Sequence, residues 1–118
     1  DRDVTGVQTC ALPIYPKFAA RAYGWLEFCT AASRDSRLRS EMAGFYEHWR
    51  EPLRSAVEDG IAAGDFAPVT SVADVVDTFL LMIDGSELAE AVREPTLRPQ
   101  RVRDLVTAQA RQILGLPR

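Results

Sequence analysis

The sequence contains few of the residues that build metal centres and catalytic sites. Two cysteines and one histidine occur in 118 residues. The histidine, His48, lacks a carboxylate three positions earlier, where a Glu-x-x-His metal motif needs one and where Phe45 stands. The sequence also has no glycine-rich loop of the phosphate-binding kind. We therefore predict that the protein has no catalytic residues, no metal site and no cofactor, and that it is not an enzyme.

Long apolar runs and a strong excess of one charge are missing as well. A membrane-spanning helix needs about 20 consecutive, predominantly apolar residues, and no stretch approaches that length. The net charge is −3, with 47% hydrophobic and 26% charged residues, which is typical of a globular domain. Because phosphate backbones are bound by basic surfaces, this mildly acidic chain is not expected to bind nucleic acid by itself. The composition predicts a single globular domain that does not span a membrane.

The first 14 residues, DRDVTGVQTCALPI, follow neither a helical nor a strand periodicity. Residues 4–14 resemble the forward translation of a sequencing-library adapter. We therefore expect residues 1–14 to be an artefact and a disordered tail, and residues 15–118 to be the domain. The alternative is a native N-terminal strand or targeting segment. Without the tail only Cys29 remains, so no disulfide is expected and a reducing, cytoplasmic setting is predicted.

Apolar residues at helical spacing predict four helices after the tail. The first covers residues 16–33. The second follows an N-terminal cap at Asp35 or Ser36 and ends at Gly64. Pro52 interrupts this second helix. Because proline cannot donate a backbone hydrogen bond, we expect a kink there or a break into two helices.

The third predicted helix begins at a Ser-x-x-Asp cap formed by Ser71 and Asp74 and extends to about Arg93. The fourth covers residues 100–114. No segment alternates apolar and polar residues long enough to indicate a strand. The predicted fold class is therefore all-α, an antiparallel bundle of about four to five helices.

The centre of the third helix, FLLMI at residues 79–83, has no polar face. In a small domain this favours a helix buried between the domain and a partner, with the central helix of a monomer as the alternative. Charge is also segregated. Residues 51–92 hold nine acidic side chains against Arg54 alone, whereas residues 93–118 hold six arginines. We predict that the two segments lie against each other, with two separately solvated faces as the alternative.

Aromatic and sulfur-containing side chains occupy the inward stripes of the first three helices. Small-molecule cavities between the helices of a bundle are lined by such residues and by few polar groups. Plain core packing is the alternative for most of them. The predicted ligand-pocket residues are Trp25, Phe28, Cys29, Phe45, Trp49, Phe79 and Met82.

Three motifs resemble the C-terminal half of tetracycline-repressor (TetR) family regulators, of the BetI-like C-terminal type. They are RDSRLR at residues 34–39, FYEHWREPL at residues 45–53 leading to GDF at residues 64–66, and MIDG at residues 82–85. The resemblance covers residues 15–116. The helix-turn-helix of that family is absent, and we interpret this absence as the result of a cut at the adapter junction.

The resemblance implies an all-helical domain that binds a small hydrophobic or amphipathic effector in an internal cavity. It also implies a homodimer formed through the last two helices, and DNA contact only through the missing N-terminal domain. The implied dimer-interface residues are Leu81, Asp84, Gly85, Leu88, Arg103, Val106, Ala110 and Ile113. A helical dimerisation module without a ligand is the alternative function, and a helical-bundle enzyme with a metal or cofactor ranks third.

Overall fold

The computed structural model of the protein describes residues 18–117. Its four α-helices are α1 (Phe18–Ala32), α2 (Ser36–Ala62), α3 (Val72–Ala91) and α4 (Pro99–Ile113). No strand occurs in this range, and the predicted all-α class is confirmed. The tail expected at residues 1–14 and the helix start expected at Pro16 lie outside the described residues.

The RDSRLR motif joins α1 to α2 by capping both helices. The backbone N–H of Arg37 donates to Asp35 Oδ1 at 2.9 Å, which satisfies a free donor at the start of α2. The Arg39 guanidinium donates to the carbonyl oxygens of Ala32 and Ser33 at 3.2 and 3.3 Å. Those carbonyls lie at the end of α1, where helical partners run out. One short motif therefore ends one helix and begins the next.

The loop between α2 and α3 also follows its sequence signals. Gly64 has φ of 78°, a left-handed conformation that suits a residue just beyond a helix end. The backbone N–H of Asp74 donates to Ser71 Oγ at 3.1 Å, so Ser71 caps α3 as predicted.

Pro52 does not break α2, which is one α-helix from Ser36 to Ala62. The Pro52 side chain is exposed, whereas Leu53 and Val57 on the neighbouring, inward side of the helix are buried. Packing of that buried side offsets the loss of one backbone hydrogen bond. Of the two outcomes expected at Pro52, a kink or a break into two helices, the break does not occur.

The central element is α3, which packs against α1, α2 and α4, while α1 also packs against α2. The aliphatic core joins the C-terminal half of α2 to the N-terminal half of α3 and the C-terminal half of α4. Since opposite halves meet, α3 is antiparallel to both neighbours. The core side chains are Leu53, Val57, Phe66, Val75, Val76, Phe79, Leu80, Ala110 and Leu114.

The end of α4 is held on the α2–α3 loop by backbone contacts. The Ala67 N–H donates to the Leu114 carbonyl oxygen at 2.9 Å. Gly115 follows with φ of 73°, and a Cβ at that position would lie 2.2 Å from the Ala67 carbonyl oxygen. Only glycine fits there. Within residues 18–117, no helix has the length and apolar character needed to cross a membrane.

Candidate functional site

Five aromatic rings from α1 and α2 form one cluster beside the N-terminal half of α2. Trp25 and Phe28 lie one turn apart on α1, with ring centroids 5.7 Å apart. The Trp25 centroid is 4.8 Å from that of Trp49 on α2, with an interplanar angle of 68°. Phe28 meets Phe45 edge-to-face at 5.5 Å, and Tyr46 meets Trp49 at 5.7 Å. Such edge-to-face pairs stabilise a cluster beyond simple burial.

The aromatic cluster encloses one side of a cavity of about 320 Å³ that opens to solvent. This volume lies at the lower end of the range for small-molecule sites, about 300–1,000 Å³. The described lining residues are Gly24, Trp25, Phe28, Phe45, Trp49 and Glu87. The walls are therefore aromatic, and the floor carries one carboxyl group from α3.

Two acidic side chains of α3 lie close together at this floor. Glu87 is only 5% exposed, and Asp84 precedes it by about one helical turn. The Tyr46 hydroxyl donates a hydrogen bond to Asp84 Oδ2, which ties α2 to α3. A second tie is the ion pair between Arg50 Nε and Asp77 Oδ1 at 2.9 Å.

This acidic environment raises the pKa values of two neighbouring groups. Burial, the hydrogen bond to Asp84 and the charges of Asp84 and Glu87 all raise the pKa of the Tyr46 hydroxyl. Burial also raises the pKa of the Cys29 thiol, and the Asp84 and Glu87 charges add to that effect. Both groups therefore stay protonated at neutral pH. No cluster of three potential metal ligands occurs among residues 18–117.

The sequence of this helical domain matches a known family over most of its length. The family model for the C-terminal domain of BetI-type transcriptional repressors covers residues 17–115. The chain belongs to this family. No curated protein and no solved structure matches the chain significantly. The BetI-type domain is thus a regulatory domain of the TetR class, and the resemblance found in its motifs is confirmed.

The BetI-type domain brings together four of the seven predicted pocket residues, Trp25, Phe28, Phe45 and Trp49. Cys29 lies beside the acidic floor and is partly buried, but it is not among the described lining residues.

The other two predicted pocket residues lie elsewhere. Phe79 is fully buried in the aliphatic core. It precedes Glu87 by two helical turns, about 12 Å along the axis, and this separation keeps it from the cavity floor. Met82 lines a separate groove between α3 and α4 and packs against the core.

The predicted dimer-interface residues of the BetI-type domain divide into exposed and buried sets. Leu81 and Leu88 are 73% and 51% exposed, and Gly85 lies between them on the same exposed face. Arg103 is also exposed. Asp84 is partly buried because it faces Tyr46.

Val106 and Ala110 are buried inside the chain's own structure, and Ile113 packs against the core. On α4, Leu105 is the large apolar residue that faces solvent. Val106, Ala110 and Ile113 therefore attach α4 to α3 within one chain.

A groove of about 420 Å³ separates α3 from α4 beside the exposed leucines. Its described lining consists of Met82, Gly85, Ser86, Ala89, Leu97, Val102, Leu105, Val106 and Gln109. The exposed face of α3, defined here as the α3 stripe of Leu81, Gly85, Leu88 and Val92, borders this groove.

Reasoning from the sequence missed Glu87, Gly24 and Tyr46 as parts of the site. A shared helix face for Asp84 and Glu87 was visible from their spacing of three residues. Their position under the aromatic rings depends on how α1 and α2 cross α3, and no sequence pattern reports that crossing.

Proposed function

We propose that this domain binds a small apolar or amphipathic effector in the aromatic cavity and forms a homodimer through α3 and α4. It would thereby act as the sensing part of a transcriptional repressor. The observation that carries the proposal is the cavity itself, which is lined by aromatic rings from two helices and a buried carboxyl group from a third.

The aromatic cluster has the properties of a binding surface rather than of a closed core. Phe45 is 45% exposed although its ring touches both Phe28 and Trp49. A ligand in the cavity would remove such ring surface from water, at about 25 cal/mol per Å² of apolar area.

The position of α3 supports a link between effector and dimer. Its buried side supplies Glu87 to the cavity, and its exposed face carries Leu81 and Leu88. A ligand that binds one arrangement of α1, α2 and α3 more tightly would shift the population of that arrangement. The α3 stripe would transmit the shift to the second chain.

Effector binding is tested by thermal unfolding of the full chain with a broad panel of neutral, acidic and basic aromatic compounds. A ligand of the folded state raises the melting temperature by an amount that grows with the logarithm of its concentration relative to its Kd. Phe45→Ala should weaken that response while leaving the fold intact. If no compound in a broad panel stabilises the chain, the ligand-free dimerisation module becomes the better interpretation.

The α3 stripe is tested by size-exclusion chromatography with light scattering. Leu81→Glu and Leu88→Glu place charges on an apolar face and should yield a monomer that retains its helical circular dichroism. Val69→Glu is the matched control, because Val69 is 94% exposed and lies outside α3. A dimer that survives both α3 substitutions would show that α3 is not the interface.

DNA contact is proposed to need a part of the regulator other than this domain. The net charge of −3 is unfavourable for binding phosphates. Sequence-specific retention of DNA by this chain in a low-salt mobility-shift assay would contradict the proposal.

A further inference from the structure

Tyr46 is the residue at which α1, α2 and α3 meet beside the cavity. It belongs to α2, and its ring lies against that of Trp25 on α1, with centroids 6.1 Å apart and an interplanar angle of 69°. The same ring meets Trp49, about one turn further along α2, at 5.7 Å. Its hydroxyl donates a hydrogen bond to Asp84 Oδ2 on α3. One side chain therefore connects three helices.

Tyr46 acts on the cavity through other residues. Trp25 and Trp49 are among the described lining residues, whereas Tyr46 is not. Behind this lining, Tyr46 contacts both indoles and packs against the aliphatic core. Because protein interiors are close-packed, a displaced indole moves the ring that it touches. A ligand that changes the position of either tryptophan would therefore also move Tyr46 without contacting it.

The hydroxyl of Tyr46 links this movement to the outer face of α3. Asp84 lies within about one helical turn of both Leu81 and Leu88, the two leucines of the α3 stripe. Burial, followed by the bond to Asp84, raises the pKa of the Tyr46 hydroxyl, so this group stays protonated and remains a donor at neutral pH. A shift of the Tyr46 side chain is therefore passed to the turn of α3 that carries the stripe.

A second polar contact between α2 and α3 provides a comparison. Arg50 Nε binds Asp77 Oδ1 at 2.9 Å. Asp77 precedes Asp84 by seven residues, about 10.5 Å along the helix axis. Both side chains of this ion pair are partly exposed, and exposed ion pairs contribute little. Asp77 therefore binds a guanidinium near the surface, whereas Asp84 binds the side chain that contacts both indoles.

We propose that Tyr46 is a positioning residue that couples the aromatic cavity to the α3 stripe. Its ring follows the indoles of Trp25 and Trp49, and its hydroxyl carries their displacement to Asp84. The inference rests on the proposed function, in which the cavity holds the effector and the stripe forms the dimer interface. Because coupling between two sites is reciprocal, dimerisation must in turn change the surroundings of the indoles.

A mutant cycle followed by urea unfolding and circular dichroism tests the coupling without a ligand. Trp25→Phe changes the cavity wall, and Asp84→Ala removes the acceptor on α3. The two are measured singly and together, with and without Tyr46→Phe. With Tyr46 present, Trp25→Phe should change the effect of Asp84→Ala on the unfolding equilibrium constant by at least about twofold. In Tyr46→Phe, which keeps the ring and loses the hydroxyl, the two effects should be independent.

Asp77→Ala is the matched control, because it makes the same chemical change on the same helix two turns away. Its effect on unfolding should not depend on Trp25→Phe. The inference is overturned if Trp25→Phe and Asp84→Ala act independently while Tyr46 is present. It is also overturned if their coupling persists in Tyr46→Phe, or if Asp77→Ala is coupled to Trp25→Phe as strongly as Asp84→Ala is.

Tryptophan emission of folded samples gives a second measurement that needs no unfolding. Trp25 and Trp49 are the two tryptophans of the chain, and both line the cavity. Their emission maximum should shift when the dimer is diluted to monomer, as followed in parallel by light scattering. The shift should be at least several-fold smaller in Tyr46→Phe and unchanged in Asp77→Ala.

The outcomes of the dilution experiment separate the inference from the proposed function. A dimer that dissociates without a shift, or a shift of full size in Tyr46→Phe, would overturn the inference and leave the proposed function standing. A chain that is monomeric at every concentration would instead contradict the dimerisation in the proposed function. The mutant cycle, which needs no dimer, would then decide the coupling by itself.

Discussion

The aliphatic core and the aromatic cavity are built on the same helices but differ in how completely they exclude water. In the core, Leu53 and Val57 of α2 and Phe79 of α3 are fully buried. Two to three turns earlier on α2, Phe45 lies against two other rings and still leaves 45% of its surface exposed. The chemistry of both regions is apolar, so hydrophobicity alone does not explain the difference.

The mixture of side-chain shapes in each region explains it better. In the core, branched aliphatic side chains surround the separate rings of Phe66 and Phe79 between α2, α3 and α4, and close packing of this kind leaves little empty space. In the aromatic cluster, five rings meet one another in both stacked and edge-to-face pairs, and the cavity lies beside them. One end of the bundle therefore supplies stability, and the other end supplies a cavity with an acidic floor.

The largest expected effect is a difference in the free energy of unfolding between two variants, each of which truncates one phenylalanine in one of the two regions. Phe79→Ala removes a fully buried ring from the core and should lower the free energy of unfolding by about 3–5 kcal/mol. Phe45→Ala removes a half-exposed ring and should cost roughly 1 kcal/mol or less. Urea unfolding at fixed protein concentration measures both. Equal losses would mean that the aromatic cluster is as important for stability as the core.

Two glycines, one at the core and one at the cavity, allow the two regions to be compared by adding a methyl group instead of removing a ring. A Cβ on Gly60 would lie 2.1 Å from Phe66 Cδ2, so Gly60→Ala should overpack the core and destabilise the fold by about 1–3 kcal/mol. A Cβ on Gly24 meets nothing within 4 Å, so Gly24→Ala should stabilise α1 by roughly 0.5–1 kcal/mol.

Because Gly24 lines the cavity, its substitution should also weaken effector binding while it stabilises the chain. Thermal unfolding with and without ligand measures both effects. Stabilisation by Gly60→Ala would show that Phe66 can move away freely, and the core would then be less tightly packed than we infer.

The bond between Tyr46 and Asp84 tests the boundary between the two regions. Tyr46→Phe should cost about 1 kcal/mol, because Asp84 loses a donor in a partly buried site. Burial, together with the bond to Asp84, raises the pKa of Tyr46 in the folded state. The unfolded chain ionises this tyrosine first, near pH 10, so its contribution is complete below that pH and is lost as the pH rises further.

The variant should therefore lose less stability than the original chain between about pH 9 and about pH 11. Urea midpoints across this interval provide the measurement. If the urea midpoints of the two proteins change with pH in parallel, the pKa of Tyr46 is not raised in the folded state.

The smallest effect concerns the reactivity of Cys29 rather than stability. Burial, followed by the charges of Asp84 and Glu87, raises the pKa of this thiol. Since the thiolate is the reactive form, alkylation of Cys29 by iodoacetamide near pH 8 should be several-fold slower in the folded chain than in urea. Asp84→Asn should increase the folded-state rate, as followed by mass spectrometry of the Cys29 peptide. An unchanged rate would show that the acidic floor does not extend to Cys29.

Local signals predicted the helices well and the site only in part. Ser71 and Gly64 act over one turn of chain, so their roles as caps could be read directly from the sequence. Pro52 also gave a local signal, but burial of Leu53 and Val57 keeps α2 continuous through it. Phe79 and Glu87 lie on neighbouring parts of one helix, and the sequence does not tell which of them meets the cavity.

The residues alone were enough to predict an all-α protein, the caps at Asp35, Gly64 and Ser71, and aromatic stripes on α1 and α2. These properties depend on residues one to four positions apart. Only the tertiary structure decided that Glu87 lies under the rings, that Phe79 belongs to the core and that Leu81 faces solvent. Burial depends on side chains that are dozens of residues away in the chain, because the crossing of α1 and α2 over α3 assigns each turn of α3 to the core, the cavity or the surface.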